Sequence, residues 1–125
     1  MTLVLFTPIL GQARVYPKAE TLCHFFKNNQ VTQTSVCTVE GGGGAGGYEM
    51  DILLPNGKKY SVGTHFLANG DDSYSYVDDK PALEYERDSA LKVAKGMHVE
   101  SVMKCYRAED ESIDVCYVYP NTVLD

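Results

Sequence analysis

The dipeptide Asn56-Gly57 restricts the fold of this chain more than any other feature, because it is a strong signal for a tight hairpin turn. Before it, residues 48–54 show the alternating pattern of a half-buried strand. After it, residues 59–67 read as the returning strand. The middle of the chain is therefore predicted to form antiparallel sheet.

A glycine-rich segment, VEGGGGAGGYE, precedes this hairpin. It can be matched to the GxGxxG pattern of dinucleotide-binding loops, but such a loop must lead into a helix, and a strand follows here. A Walker loop is also excluded, since Tyr48 stands where lysine is required. Glycine has a large ordering cost, so residues 41–47 are predicted to be a mobile hairpin loop that joins strands 31–40 and 48–54.

Two segments have apolar residues at helical spacing: 18–28 after Pro17, and 81–95 between Asp79 as N-cap and Gly96 as C-cap. Further strands are expected at 2–10, around Tyr74 and Tyr76, at 98–107 and at 112–119. The order β-α-β-β-β-β-α-β-β predicts an α+β fold with a single mainly antiparallel sheet and two helices. At 125 residues, the chain has the size of a single compact domain, 1–125.

The charge is negative overall and unevenly distributed. The net charge is −6, with +1 on residues 1–67 and −7 on residues 68–125, so direct binding to nucleic acid is not expected. The apolar start, MTLVLFTPIL, lacks a basic region and a cleavage site, and it is too short to cross a bilayer. A cytoplasmic protein without membrane contact is therefore predicted.

The four cysteines are Cys23, Cys37, Cys105 and Cys116, and no C-x-x-C pair occurs. The three histidines fall on separate predicted elements, so neither a metal site nor a cofactor is expected. A last hairpin that turns at Asp110-Glu111 places Cys105 opposite Cys116. A disulfide and a pair of packed thiols both fit this geometry, and a reducing cytoplasm favours the thiols.

Acidic residues and tyrosines occur together in the C-terminal half. Asp71-Asp72 and Asp78-Asp79 flank the short strand that carries Tyr74 and Tyr76, and a second acidic group consists of Glu109, Asp110 and Glu111. Tyrosine and carboxylate groups together suit a basic protein surface, because charge speeds encounter and the rings hold contact. The predicted function is a small acidic binding protein that docks on a basic partner, as some phage or mobile-element inhibitors do.

The alternative function is a lyase-like small-molecule enzyme that uses a tyrosine and a carboxylate. Tyr60 and Asp71 lie on neighbouring predicted strand segments, and a buried Asp can act as a general base. This spacing, followed by Glu100-Ser101-Val102, resembles isolated positions of phage enzymes that break down S-adenosylmethionine, without a specific motif. The site would lie at a subunit interface of a homo-oligomer, since one small sheet offers little concave surface.

Overall fold

The computed structural model describes residues 14–67, 73–95 and 100–120. Each strand pairs antiparallel with the next one along the chain, and the last strand pairs with the first, so the sheet closes into a barrel. Closure by neighbouring strands leaves few free sheet edges. The strands are β1 (Arg14–Lys27), β2 (Gln30–Gly44), β3 (Gly47–Leu53), β4 (Lys59–Phe66), β5 (Ser73–Val77), β6 (Lys80–Arg87), β7 (Met103–Ala108) and β8 (Asp114–Val118).

The prediction of an α+β fold with two helices is wrong, because the described residues contain only strands, turns and irregular segments. Residues 18–27 lie in β1, and residues 81–95 form most of β6 and an irregular segment after it. Apolar residues of β1 lie on both faces of the sheet, because Ala19 and Cys23 pack in the interior whereas Phe26 packs outside it. The apolar positions 19, 22, 23 and 26 therefore imitate helical spacing although they belong to a strand.

Some predicted elements can be compared directly and others cannot. Within the described ranges, no helix is long and apolar enough to cross a membrane. The predicted strand at 2–10 and the predicted cap at Gly96 lie outside the described residues. Asp79, predicted as a helix N-cap, instead belongs to the two-residue turn between β5 and β6.

The predicted hairpins at Asn56-Gly57 and at residues 109–111 are confirmed. Gly57 has a φ of 91°, and its N–H donates to the carbonyl of Leu54 at 2.9 Å. In the last hairpin, Cys105 lies opposite Cys116, as the sequence predicts. Turn chemistry therefore identifies these connections correctly even where the neighbouring elements are misassigned.

The glycine-rich segment does join two strands, but the prediction of a mobile loop over 41–47 is wrong. Strand β2 continues to Gly44 and β3 begins at Gly47, with a turn of two residues between them. A Cβ atom at Gly41 would collide with the carbonyl oxygen of Glu49, and one at Gly47, where φ is 130°, would collide with that of Thr64. These glycines allow the backbones of β2, β3 and β4 to approach closely.

Apolar side chains form two separate clusters. The larger cluster fills part of the barrel interior and includes Val39, Ile52, Val62, Tyr106 and Val115. The smaller one lies on the outer face of β7 and β8 and consists of Phe26, Met103, Cys105 and Cys116, with Leu91 and Val102 packed against it. The described parts of the segment between β6 and β7 thus contact this outer face, because Leu91 and Val102 both belong to it.

All four cysteines form disulfides, so the expectation of packed thiols is wrong. Cys23 bonds to Cys37 across the β1–β2 hairpin, and Cys105 bonds to Cys116 across the β7–β8 hairpin. One bridge therefore belongs to the interior cluster and the other to the outer cluster. Cross-links of this kind stabilise a small domain mainly by restricting its unfolded chain.

Candidate functional site

A cavity of about 430 Å³ opens where β1 and β8 separate. Among the described residues, the two strands pair from Cys23 to Phe25, opposite Val115 to Tyr117. Beyond this short ladder, the hydroxyl of Thr21 donates to the carbonyl of Val118 at 2.8 Å. The wall of the cavity is mainly aromatic and apolar, and includes Tyr16, Pro17, Tyr48, Met50, Tyr117 and Tyr119.

Glu84 is the centre of a polar network beside this cavity. Its place on β6 makes it face the interior, opposite Tyr106 on β7. The hydroxyl of Tyr48 donates to Oε2 of Glu84 at 2.6 Å, and the hydroxyl of Thr64 donates to Oε1 at 2.6 Å. Lys104 from β7 forms an ion pair with the same carboxylate. Four strands (β3, β4, β6 and β7) therefore supply one interior hydrogen-bonded group.

The network keeps both of its charged members ionised at neutral pH. Burial acts to raise the pKa of Glu84, but hydrogen bonds from Lys104, Thr64 and Tyr48 outweigh it and hold this pKa below its ordinary value. Burial acts to lower the pKa of Lys104, but the contact with Glu84 outweighs it and raises this pKa. Burial and the hydrogen bond to Glu84 also raise the pKa of Tyr48, so its hydroxyl keeps its proton.

A second carboxylate, Glu86, lies two residues further along β6. It accepts hydrogen bonds from the hydroxyl of Tyr119 at 2.5 Å and from that of Ser101 at 3.0 Å. Its Oε2 atom is also 4.0 Å from Nζ of Lys104. Burial, followed by this hydrogen bond to Glu86, raises the pKa of Tyr119. Tyr48 and Tyr119, which both line the cavity, thus donate hydrogen bonds to carboxylates.

The predicted docking residues on β5 lie on one outer surface. Tyr74 is 54% exposed, and His65 stacks between its ring and that of Tyr76, with centroid distances of 5.2 and 5.3 Å. Asp78 and Asp79 follow in the exposed turn to β6 and share a shallow groove with these rings. The other two residues of the first acidic group, Asp71 and Asp72, lie outside the described residues.

The second acidic group lies beside the first. Glu109, Asp110 and Glu111 are exposed in the turn between β7 and β8. Lys80 Nζ contacts Oδ2 of Asp110 at 2.8 Å, and the N–H of Glu109 donates to the carbonyl of Pro81 at 2.9 Å. The hydrogen bond from Lys80, followed by those from Ser112, holds the pKa of Asp110 far below its usual range. Because strand direction alternates, these turns lie at the opposite end of the barrel from the cavity.

The two residues of the predicted enzyme site are not seen together. Tyr60 is buried in the interior, with its ring 5.7 Å from that of Phe25, and Asp71 lies outside the described residues. Their catalytic role stays a prediction. Sequence reasoning missed Glu84 and Lys104, although Glu84-Tyr85-Glu86-Arg87 has a two-residue period that could have indicated a strand with carboxylates on one face.

Comparison with known proteins assigns no family to the chain. No family model, curated protein or solved structure matches it. A functional argument must therefore start from the geometry of the cavity and of the acidic end.

Proposed function

We propose that this protein binds a small, mainly apolar molecule in the barrel cavity. The observation that carries this proposal is the cavity itself, about 430 Å³ in volume, with a mainly apolar wall and a few polar groups at one side. Sites for small molecules have this size and composition. A closed sheet of eight strands is also wide enough to hold one small ligand inside.

The polar groups beside the cavity are held in place without a ligand. Glu84 already has three donors, from Tyr48, Thr64 and Lys104. A site whose side chains are fixed before binding loses less conformational entropy when the ligand enters. The separation of β1 from β8 supports the proposal further, because it provides the opening through which a molecule would reach Tyr117 and Met50.

Titration with the uncharged fluorophore N-phenylnaphthylamine tests this proposal. The full chain should bind one equivalent, with enhanced emission from the apolar site. Met50→Trp places a larger side chain in the cavity wall and should weaken this binding by about tenfold or more. Val36→Trp is the matched control, since Val36 is 51% exposed on the neighbouring strand β2 and should bind as the wild type does.

The two variants separate occupancy of the cavity from adsorption to the surface. Equal affinity in both tryptophan variants, or no saturable binding by the wild type, would overturn the proposal. Thermal unfolding of each variant, recorded beside the titration, shows whether a loss of binding arises from a loss of folded protein.

A second candidate function is docking on the basic surface of a partner protein. The observation that favours it is the adjacency of two acidic turns, which the contact between Lys80 and Asp110 joins. Exposed Tyr74 and half-buried Tyr76 lie next to Asp78 and Asp79 in the same groove. Such a surface offers both charge for encounter and rings for contact.

Charge reversal at two faces tests this second candidate. Asp78→Lys with Asp79→Lys should abolish capture of a basic partner from the natural host's lysate at low salt. Glu20→Lys with Glu40→Lys changes the net charge by the same amount at exposed positions on β1 and β2 and should leave capture intact. Equal loss with both variants would show that net charge matters and this surface does not.

The two disulfides bear on the cellular compartment in which the protein folds. We infer that the two disulfides favour an oxidising compartment over the cytoplasm that the sequence predicts, because cytoplasmic thiols are normally kept reduced. Alkylation of the denatured protein from its natural host decides between them. Four reactive thiols would support the cytoplasm, and none would support the oxidising compartment.

A further inference from the structure

The charged side chains beside the cavity leave an excess of negative charge. In the part of the chain that the structure describes, Glu84, Glu86 and Lys104 face the interior, and Glu49 also lines the cavity. Three carboxylates against one ammonium give a net charge of −2. The side chains of Glu84 and Lys104 are only 18% and 19% exposed, so water screens their charges less than at the surface. An anionic ligand would thus be disfavoured.

The hydroxyl groups of the cavity wall strengthen the same preference. A tyrosine hydroxyl has one hydrogen to donate and two lone pairs to accept with. Tyr48 donates its hydrogen to Glu84, and Tyr119 donates its hydrogen to Glu86. What these two hydroxyls can still offer a ligand is therefore acceptor capacity. A ligand with N–H donors can use it.

The aromatic wall is suited to positive charge as well. Nζ of Lys104 already lies 5.3 Å from the centroid of the Tyr48 ring, so a cation is accommodated beside this wall. The faces of aromatic rings attract cations through their quadrupole, and the attraction increases where water is excluded. Tyr117 and Tyr119, whose rings meet edge to face at 6.2 Å, extend the same wall. Flat aromatic groups pack well on such a surface.

We propose that the ligand of the cavity is a small aromatic amine that carries one positive charge. This inference rests on the proposed function, since it names the class of molecule that the cavity binds. The ring packs on the tyrosines, and the ammonium group donates to the hydroxyl oxygens beside Glu84 and Glu86. The amine then brings the net charge of these side chains from −2 to −1.

Three indoles with similar skeletons and different charge test the inference. They are tryptamine, a cation, tryptophol, which is neutral, and indole-acetate, an anion. The chain contains no tryptophan, so indole emission reports the ligand alone. We expect tryptamine to bind about tenfold more tightly than tryptophol, and indole-acetate to bind more weakly than both.

A charge-neutralising variant tests whether the preference arises inside the barrel. Glu86→Gln keeps an acceptor for Tyr119 and Ser101 but removes one negative charge, so the preference for tryptamine over tryptophol should fall several-fold. Glu109→Gln is the matched control, because it removes one negative charge at the opposite, acidic end of the barrel and should leave the preference unchanged.

The outcomes distinguish this inference from the proposed function. If the naphthylamine probe binds and tryptophol binds as tightly as tryptamine, the cavity is a ligand site and the amine inference is overturned. If neither the probe nor any indole binds, both proposals fall. An equal drop in preference with Glu86→Gln and Glu109→Gln would also overturn the inference, because long-range charge would then explain it.

Discussion

The barrel contains two buried groups of charged and tyrosine side chains, and they differ in what surrounds them. The Glu84 group lies inside, next to the cavity, and the side chains of Lys104 and Glu84 are still 19% and 18% exposed. The other group, Arg87 with Asp114, lies under the segment between β6 and β7, and these side chains are only 1% and 8% exposed. Both groups include a residue of β6. Glu84 faces the interior and Arg87 faces outward, because successive residues of a strand point to opposite sides of the sheet.

The partners of Arg87 use three of its five N–H donors. Nη1 donates to the side chain of Asn29 at 2.9 Å and to the carbonyl of Leu91 at 2.8 Å, while Nη2 donates to the hydroxyl of Tyr85 at 2.9 Å. The guanidinium also stacks on Phe26, 3.7 Å from the ring centroid. Among the buried side-chain nitrogen and oxygen atoms of the described residues, Nε of Arg87 is the one without a hydrogen-bond partner. Arginine suits such a site because its planar donor group can bond in several directions.

The difference between the two groups separates structural roles from binding roles. The Arg87 group ties the β1–β2 turn, through Asn29, to the irregular segment, through Leu91, and its ion pair with Asp114 is almost entirely buried. The Glu84 group instead borders open volume and has acceptor capacity that its protein partners do not use. A buried charged network indicates a binding site only when a cavity adjoins it.

The largest effect is expected from Arg87→Met. It removes three hydrogen bonds and leaves Asp114 without its buried counter-charge, so the free energy of unfolding should fall by about 3–5 kcal/mol. Urea denaturation measures this loss. Lys80→Met, which breaks the exposed pair with Asp110, is the control and should cost about 0–1 kcal/mol. Similar losses in both variants would contradict the structural role assigned to Arg87.

A smaller loss of stability is expected from Lys104→Met. It also removes one member of a buried ion pair, but water in the adjoining cavity can solvate Glu84, which Tyr48 and Thr64 continue to hold. The free energy of unfolding should fall by about 1–3 kcal/mol, less than with Arg87→Met. Urea denaturation of both variants at one pH compares them. A larger loss with Lys104→Met would show that the interior pair, and not the covered one, is the main structural element.

The sequence predicts the hairpins well because their turns depend on single residues. Gly57 adopts the positive φ that the turn between β3 and β4 needs. The acidic turn around Asp110 joins β7 to β8, as the sequence predicts. The helix predictions fail for β1 and β6, since neither strand has apolar residues only on its inner face and polar residues only on its outer face. Strand β1 carries apolar residues on both faces, and β6 turns the charged residues Glu84 and Glu86 inward.

The candidate site could not be predicted, because it depends on pairing between distant strands. Glu84 and Lys104 are brought together by the β6–β7 register, and Tyr48 arrives from β3. No local pattern specifies that closure of the sheet places these three side chains beside one cavity. The turn at Asp78 and Asp79 was also missed, since the sequence assigned Asp79 to a helix N-cap.

The smallest expected effect, and the sharpest test of the comparison, concerns how stability depends on pH. The Glu84 pKa lies below its ordinary 4.5, so the unfolded chain holds this proton more tightly. The stability that this group provides is therefore complete above about pH 4.5 and is lost as the pH falls through its folded-state pKa. Burial raises the pKa of Asp114 above 3.8, against the hydrogen bond from Tyr85 and the charge of Arg87. Its contribution is complete below about pH 3.8 and is lost as the pH rises through its folded-state pKa.

Glu84→Gln and Asp114→Asn should therefore show opposite pH dependence. The stability difference between wild type and Glu84→Gln should grow as the pH rises from about 3 to 7, by about 1.4 kcal/mol where the folded and unfolded pKa values differ by one. The difference between wild type and Asp114→Asn should shrink over the same range. Urea denaturation at several pH values measures both. If both differences grow with pH, the fold stabilises Asp114 as a carboxylate, as it does Glu84. The two groups would then differ only in the cavity that adjoins the Glu84 group.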